Sequence, residues 1–115
     1  MKEPGGRCPP EFKGMWLFAM FDLPVTDPEE RREYTRFRTS LLQDGFTMMQ
    51  YSVYARYCAS EEVSQRYRKD VRANLPPGGE VRLLAVTDHQ FGKMEVFHGK
   101  RSGKVESPPE QLMFF

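Results

Sequence analysis

Two hydrophobic periods alternate along the chain. Met15 to Phe21 (MWLFAMF) is an unbroken apolar run that stops at Asp22, the pattern of a central strand buried on both faces. Thr26-Asp27-Pro28-Glu29-Glu30 then carries the signals of a helix start: Asp27 can cap, Pro28 suits the first turn, and Glu30 can complete a capping-box-like arrangement. Tyr34, Phe37, Leu41 and Leu42 recur at near-helical spacing and Gly45 follows as a stop, which predicts one helix over Pro28 to Asp44. Phe46 to Cys58 (FTMMQYSVYARYC) is rich in aromatic and β-branched residues but too long for one ordinary strand. It is therefore split near Gln50 into a hairpin or a sharply bent pair.

Ser60-Glu61-Glu62 opens a second helix as cap and acidic first turn; Val63, Tyr67 and Val71 form its apolar stripe, and Pro76-Pro77-Gly78-Gly79 ends it. Glu80 to Thr87 (EVRLLAVT) reads as a strand, Asp88 to Lys93 as a turn, and Met94 to Phe97 as a shorter strand. The order strand, helix, strand, strand, helix, strand predicts an α+β, ferredoxin-like βαββαβ domain with an additional C-terminal strand. Both helices then cover one face of the sheet. The other face is left to be buried by something else, and with strands this apolar a homodimer is expected. Residues 1–14 are read as a flexible leader, 15–98 as the domain, and 99–115 as a tail whose apolar end, Leu112 to Phe115, is expected to dock on a partner or the other protomer.

Composition narrows the function classes. At 115 residues the chain has room for one core. Nowhere do the roughly 18 consecutive apolar residues of a membrane span occur, and the first 14 residues lack the apolar region of a signal peptide, so a cytoplasmic protein is expected. Cys8 and Cys58 make neither a disulfide framework nor a metal finger and are expected as free thiols. Seventeen basic against sixteen acidic residues give a net charge of +1, too little for a protein that grips nucleic acid unaided. Nucleic-acid binding would have to come from local patches, dimerisation or a partner.

Four segments carry a resemblance: Met20-Phe21-Asp22-Leu23-Pro24 with Tyr34-Thr35-Arg36-Phe37-Arg38 after it; Gly45-Phe46; Gln50-Tyr51-Ser52-Val53-Tyr54; and Val86-Thr87-Asp88-His89-Gln90-Phe91. In this order, over about residues 15 to 98, they resemble the CRISPR-associated protein 2 family, and the segment around Tyr51 to Tyr54 looks closest to members from type II systems. The resemblance implies a homodimeric subunit of spacer acquisition that works with the CRISPR-associated protein 1 integrase on duplex DNA. It also implies Mg²⁺ binding and phosphodiester hydrolysis at Asp22, on single-stranded RNA or duplex DNA. A stand-alone, toxin-like metal-dependent endoribonuclease is the alternative.

The residues themselves fit that chemistry in part. A carboxylate at the end of a buried strand needs a metal, a donor or water to satisfy it, and two from symmetry-related chains approach the oxygen shell that Mg²⁺ prefers. On local sequence the alternative stays open that Asp22 merely solvates a strand end or caps the next turn. Arg31, Arg32, Arg36 and Arg38, with Arg56, Arg66, Arg68, Lys69 and Arg72, are the phosphate-contact candidates, because guanidinium forks match phosphate oxygens. For any one of them a solvated helix face is the simpler reading. Ser52 is assigned to strand packing rather than nucleophilic attack, His89 and His98 lack metal-ligand spacing, and Phe37, Phe46 and Phe91 are assigned to core or dimer contacts.

Overall fold

The computed structural model describes residues 14–99. The leader, Cys8 and the segment Leu112 to Phe115 lie outside the described residues. The elements are β1 (Met15–Asp22), α1 (Pro28–Gln43), β2 (Thr47–Gln50), β3 (Val53–Cys58), α2 (Glu61–Ala73), β4 (Glu80–Thr87) and α3 (Asp88–Gly92). They form one four-stranded antiparallel sheet in the order β2-β3-β1-β4. This is the ferredoxin-like arrangement expected from the element order.

The first helix begins and ends on local chemistry. Asp27 accepts from the Glu30 backbone N–H at 2.8 Å, which satisfies one orphan donor and is worth about 1 kcal/mol. The Glu30 carboxylate reaches back one residue further than a capping box and accepts from both the backbone N–H and the hydroxyl of Thr26, at 2.9 and 2.7 Å. At the other end Gly45 adopts φ +88°, and bonds run from Gly45 N to Leu42 O and from Phe46 N to Leu41 O, both 3.0 Å. That is the Schellman pattern, closed by the buried pair Leu41 and Phe46. The second helix starts on the Ser60 hydroxyl, which accepts from Val63 N, and stops one residue before Asn74.

Strand alternation divides β1. Leu17, Ala19 and Phe21 point to the helices and are buried with Phe37, Leu41, Phe46, Tyr54, Cys58 and Val71 in one core. Phe21 packs edge-on to Phe37 at 5.2 Å and against Tyr54 at 5.6 Å. Trp16, Phe18 and Met20 point to the opposite face and are only partly covered. The full burial expected of β1 on both faces is thus met on one.

What partly covers the second face is α3, which replaces the expected turn. Its capping box, Thr87 with Gln90, folds Phe91 flat onto Trp16 at 4.0 Å, and Trp16 donates its indole N–H to Asp88 at 2.9 Å. Phe91 therefore packs on the open face of the sheet rather than in the core. The expected strand over Met94 to Phe97 does not form. Among the described residues no strand is paired with this segment, and a strand without a ladder partner has nothing to hold it; Val96 and Phe97 stand 65% and 81% exposed. Ser52 also departs from expectation. It lies in the two-residue turn between β2 and β3 at φ +63°, in the left-handed region, and not in strand packing. No described helix is long and apolar enough to cross a membrane.

Candidate functional site

Asp22 ends β1 and is exposed. Its carboxylate has no hydrogen bond or ion pair among the described residues. The β1–β4 register sets it directly opposite Glu80, and sets Met20 opposite Arg82, so these four residues border one shallow depression of about 200 Å³ together with Phe21. The Glu80 carboxylate accepts from Arg82 at 3.0 Å on the surface. One chain thus offers a free carboxylate beside one that is already engaged, and among the described residues no cluster of three metal-ligating side chains occurs. That donor set is too small to enclose a hard cation, but it fits a hydrated one completed by a second copy or by phosphate oxygens.

On the helix-facing side of the same strand end, the turn between β2 and β3 is tied to β1 by a bond from Phe21 N to Ser52 O at 3.0 Å. Tyr51 in that turn stacks on Tyr34 of α1 at 6.1 Å, and Tyr34 meets Phe21 edge-on at 5.9 Å. Burial first, and then hydrogen bonding with Tyr51, push the Tyr34 phenol up to about 12. It stays protonated through the physiological range.

The arginines do not form one set. On α1, Arg32 pairs with Glu29, Arg36 pairs with Glu33 at 2.9 Å and donates to the carbonyls of Asn74 and Leu75, Arg38 donates to the Tyr54 hydroxyl at 2.8 Å, and Arg31 donates to Val25 O at 3.2 Å. These contacts give the α1 arginines structural work. Arg56 and Arg66 instead gather on Tyr67, with Arg56 4.1 Å and Arg66 5.2 Å from its ring centre, and Arg68 stands near enough to be felt at Cys58. Hydrogen bonds from Arg56, then Arg66, hold the Tyr67 phenol below its ordinary value. The Nε groups of Arg56 and Arg68 are buried without an acceptor. Burial pushes the Cys58 thiol up despite these three guanidiniums, which leaves it protonated and unreactive. Arg72, in the last turn of α2, is exposed.

A family model described as CRISPR associated protein Cas2 matches residues 15–94, which is every element of the fold. The chain belongs to the CRISPR-associated protein Cas2 family. Curated relatives similar to this chain carry the name CRISPR-associated endoribonuclease Cas2. The protein of Parvibaculum lavamentivorans is 52% identical over 88% of this chain and 100% of its own length. That of Flavobacterium psychrophilum is 40% identical over 91% of each chain. A second such protein of Rhodospirillum rubrum is 45% identical over 93% of this chain and 99% of its own.

Within this Cas2 fold, the strand end that carries Asp22 also assembles residues that sequence reasoning passed over. Glu80 and Arg82 reach it through strand register, and Tyr51 through the hairpin turn. Strand register is a long-range property, so no local signal marked the first two. The turn position of Tyr51, between Gln50 and Ser52 where the apolar run breaks, was the available clue for the third.

Proposed function

We propose that this Cas2-family chain is a CRISPR adaptation subunit. It acts as a homodimer that holds duplex DNA together with the CRISPR-associated protein 1 integrase, and it carries a Mg²⁺-dependent phosphodiesterase centre at Asp22. The observation that carries the reading is the exposed, unpartnered Asp22 carboxylate at the end of the central strand of a fold whose full-length relatives are named endoribonucleases.

Asp22 would hold the ion, with Glu80 beside it and Arg82 balancing the second negative charge. When bound, Mg²⁺ supplies Lewis-acid polarisation of a phosphodiester and a water acidic enough to attack it. Dimerisation is supported by the half-covered sheet face, where Phe18, Met20 and a 51% exposed Leu84 lie side by side. Phosphate contact is supported by Arg56, Arg66, Arg68 and Arg72, which make no side-chain ion pair with a carboxylate among the described residues. The relatives' name favours RNA cleavage as the main activity, and the second reading is therefore a stand-alone, metal-dependent endoribonuclease of toxin type.

The deciding experiment incubates wild-type protein and Asp22→Ala with single-stranded RNA and with duplex DNA, in Mg²⁺ or chelator, with and without the integrase. Mg²⁺-dependent cutting that disappears in Asp22→Ala supports the phosphodiesterase centre. Absence of cutting by either form, with both tightening the integrase's hold on duplex, removes that centre and keeps the scaffold. Neither cutting nor partner-dependent binding removes both.

A further inference from the structure

Tyr51 is 66% exposed, while the other aromatic residues at this strand end, Phe21, Tyr34 and Tyr54, are buried or half-buried. It is nevertheless held in place. One face of its ring lies against Tyr34 at 21° between the planes, and Tyr34 is braced on Phe21. The left-handed backbone of Ser52, together with its carbonyl bond to Phe21 N, fixes the turn that presents the ring. The result is a rigid aromatic plate with its other face in water, presented on the helix-facing side of β1 by a turn bonded to Phe21, the residue before Asp22.

A plate of this kind has a defined ligand. Every nucleobase offers a π-face, but in a duplex both faces are occupied by the neighbouring pairs, so only an unpaired base can lie on the ring. We propose that Tyr51, backed by Tyr34, is a stacking platform for an unpaired base flanking the phosphate that sits at Asp22. The inference rests on the reading that the Asp22 end is where nucleic acid binds. It deepens that reading by assigning to this site a single strand in place of a duplex. Because the plate is pre-ordered by Tyr34 and Ser52, binding loses little conformational freedom at the protein. Stacking releases no counterions, so it adds affinity without steepening the dependence on salt.

The test uses the full chain and short oligoribonucleotides containing 2-aminopurine, single-stranded or annealed to a complement. Binding is followed by anisotropy and by quenching of the 2-aminopurine emission, alongside a thermal melt of each variant. Tyr51→Leu is expected to bind the single strand at least about five-fold more weakly, the lower end of what one base–aromatic stack contributes. Its melting temperature, salt slope and duplex affinity should stay as in wild type. Tyr51→Phe, which keeps the ring, should bind and quench like wild type. Single-strand affinity unchanged in Tyr51→Leu, or lost in parallel with duplex affinity, overturns the platform, as does a wild type that binds the strand without quenching. Cutting that still depends on Asp22 alongside any of those results leaves the phosphodiesterase reading standing. A wild type that binds neither strand nor duplex removes both.

Discussion

A Cβ on Gly79 would lie 2.5 Å from the carbonyl oxygen of Asp22 and 2.7 Å from the Leu23 side chain, and Gly79 itself sits at φ +82°. The turn that ends in Pro76-Pro77-Gly78-Gly79 can therefore touch the end of β1 only because position 79 has no side chain. Gly79→Ala meets both a backbone oxygen that cannot move aside and a disfavoured φ. It should destabilise the fold by about 1–3 kcal/mol. A thermal melt would register that as a drop of roughly 4–8 °C per kcal/mol for a domain of this size. Because the clash is with Asp22, the variant should also weaken Mg²⁺-dependent activity more than an equally destabilising change in the core such as Val71→Ala.

Asp44 caps the C-terminus of α1 and Asp70 lies in the last turn of α2. Burial first, and then Asp70, raise the Asp44 carboxyl above its ordinary value of 3.8, against a smaller opposing pull from Arg56. A group whose folded value is raised contributes stability that is complete below its unfolded value and is lost as the pH climbs through the folded one. Asp44→Asn should consequently be more stable than wild type at pH 7, with the difference closing as the pH falls below the ordinary carboxylate range. Urea titrations at a series of pH values measure it; a gain that does not vary with pH would contradict the assignment.

The division among the arginines separates stability from binding. Arg36→Ala removes a Glu33 pair and two carbonyl contacts that join α1 to the end of α2. It should lower stability by about 1 kcal/mol while leaving the salt dependence of DNA binding alone. Arg66→Ala should do the reverse, flattening the plot of log binding constant against log salt by about 0.9 for one duplex phosphate contact. Parallel melts and salt titrations of the two variants would show whether the patch around Tyr67 is where phosphates sit.

The partly covered sheet face makes its own prediction. Leu84→Asp places a charge opposite Phe18 in the β1–β4 register, where the chain alone tolerates it because the position is exposed. If a second copy covers this face, the charge becomes desolvated, and the dimer should dissociate at least about ten-fold more readily in sedimentation equilibrium. An unchanged association constant would place the dimer contact elsewhere.

Local features of the fold were legible in the sequence. Asp27, Ser60 and Gly45 each act within four residues of their own positions, so caps and stops stood where the residue types put them. The break near Gln50 was likewise visible, since a 13-residue stretch rich in aromatic and β-branched residues is too long for one ordinary strand. Partnerships between distant residues were not legible. Nothing near Arg36 in the chain announces its bond to the Asn74 carbonyl, and Glu80 is an ordinary surface residue until β4 pairs with β1. Met94 to Phe97 has the composition of a strand, but composition cannot supply the neighbour that a ladder requires.

The central strand has a neighbour on each side, β3 and β4, whereas β2 is a four-residue edge strand with every residue exposed. Local opening follows such differences, so amides of β1 should be among the last to exchange with deuterated solvent and those of β2 among the first. Asp22 and Tyr51 are therefore both insulated from the yielding edge, one by its strand and the other by its side-chain contacts. The carboxylate rides on the least yielding element of the sheet, which suits a ligand that must keep its geometry. The ring is anchored from outside that edge, by Tyr34 of α1 and by the Ser52 bond to Phe21, so it keeps its setting while β2 yields beside it.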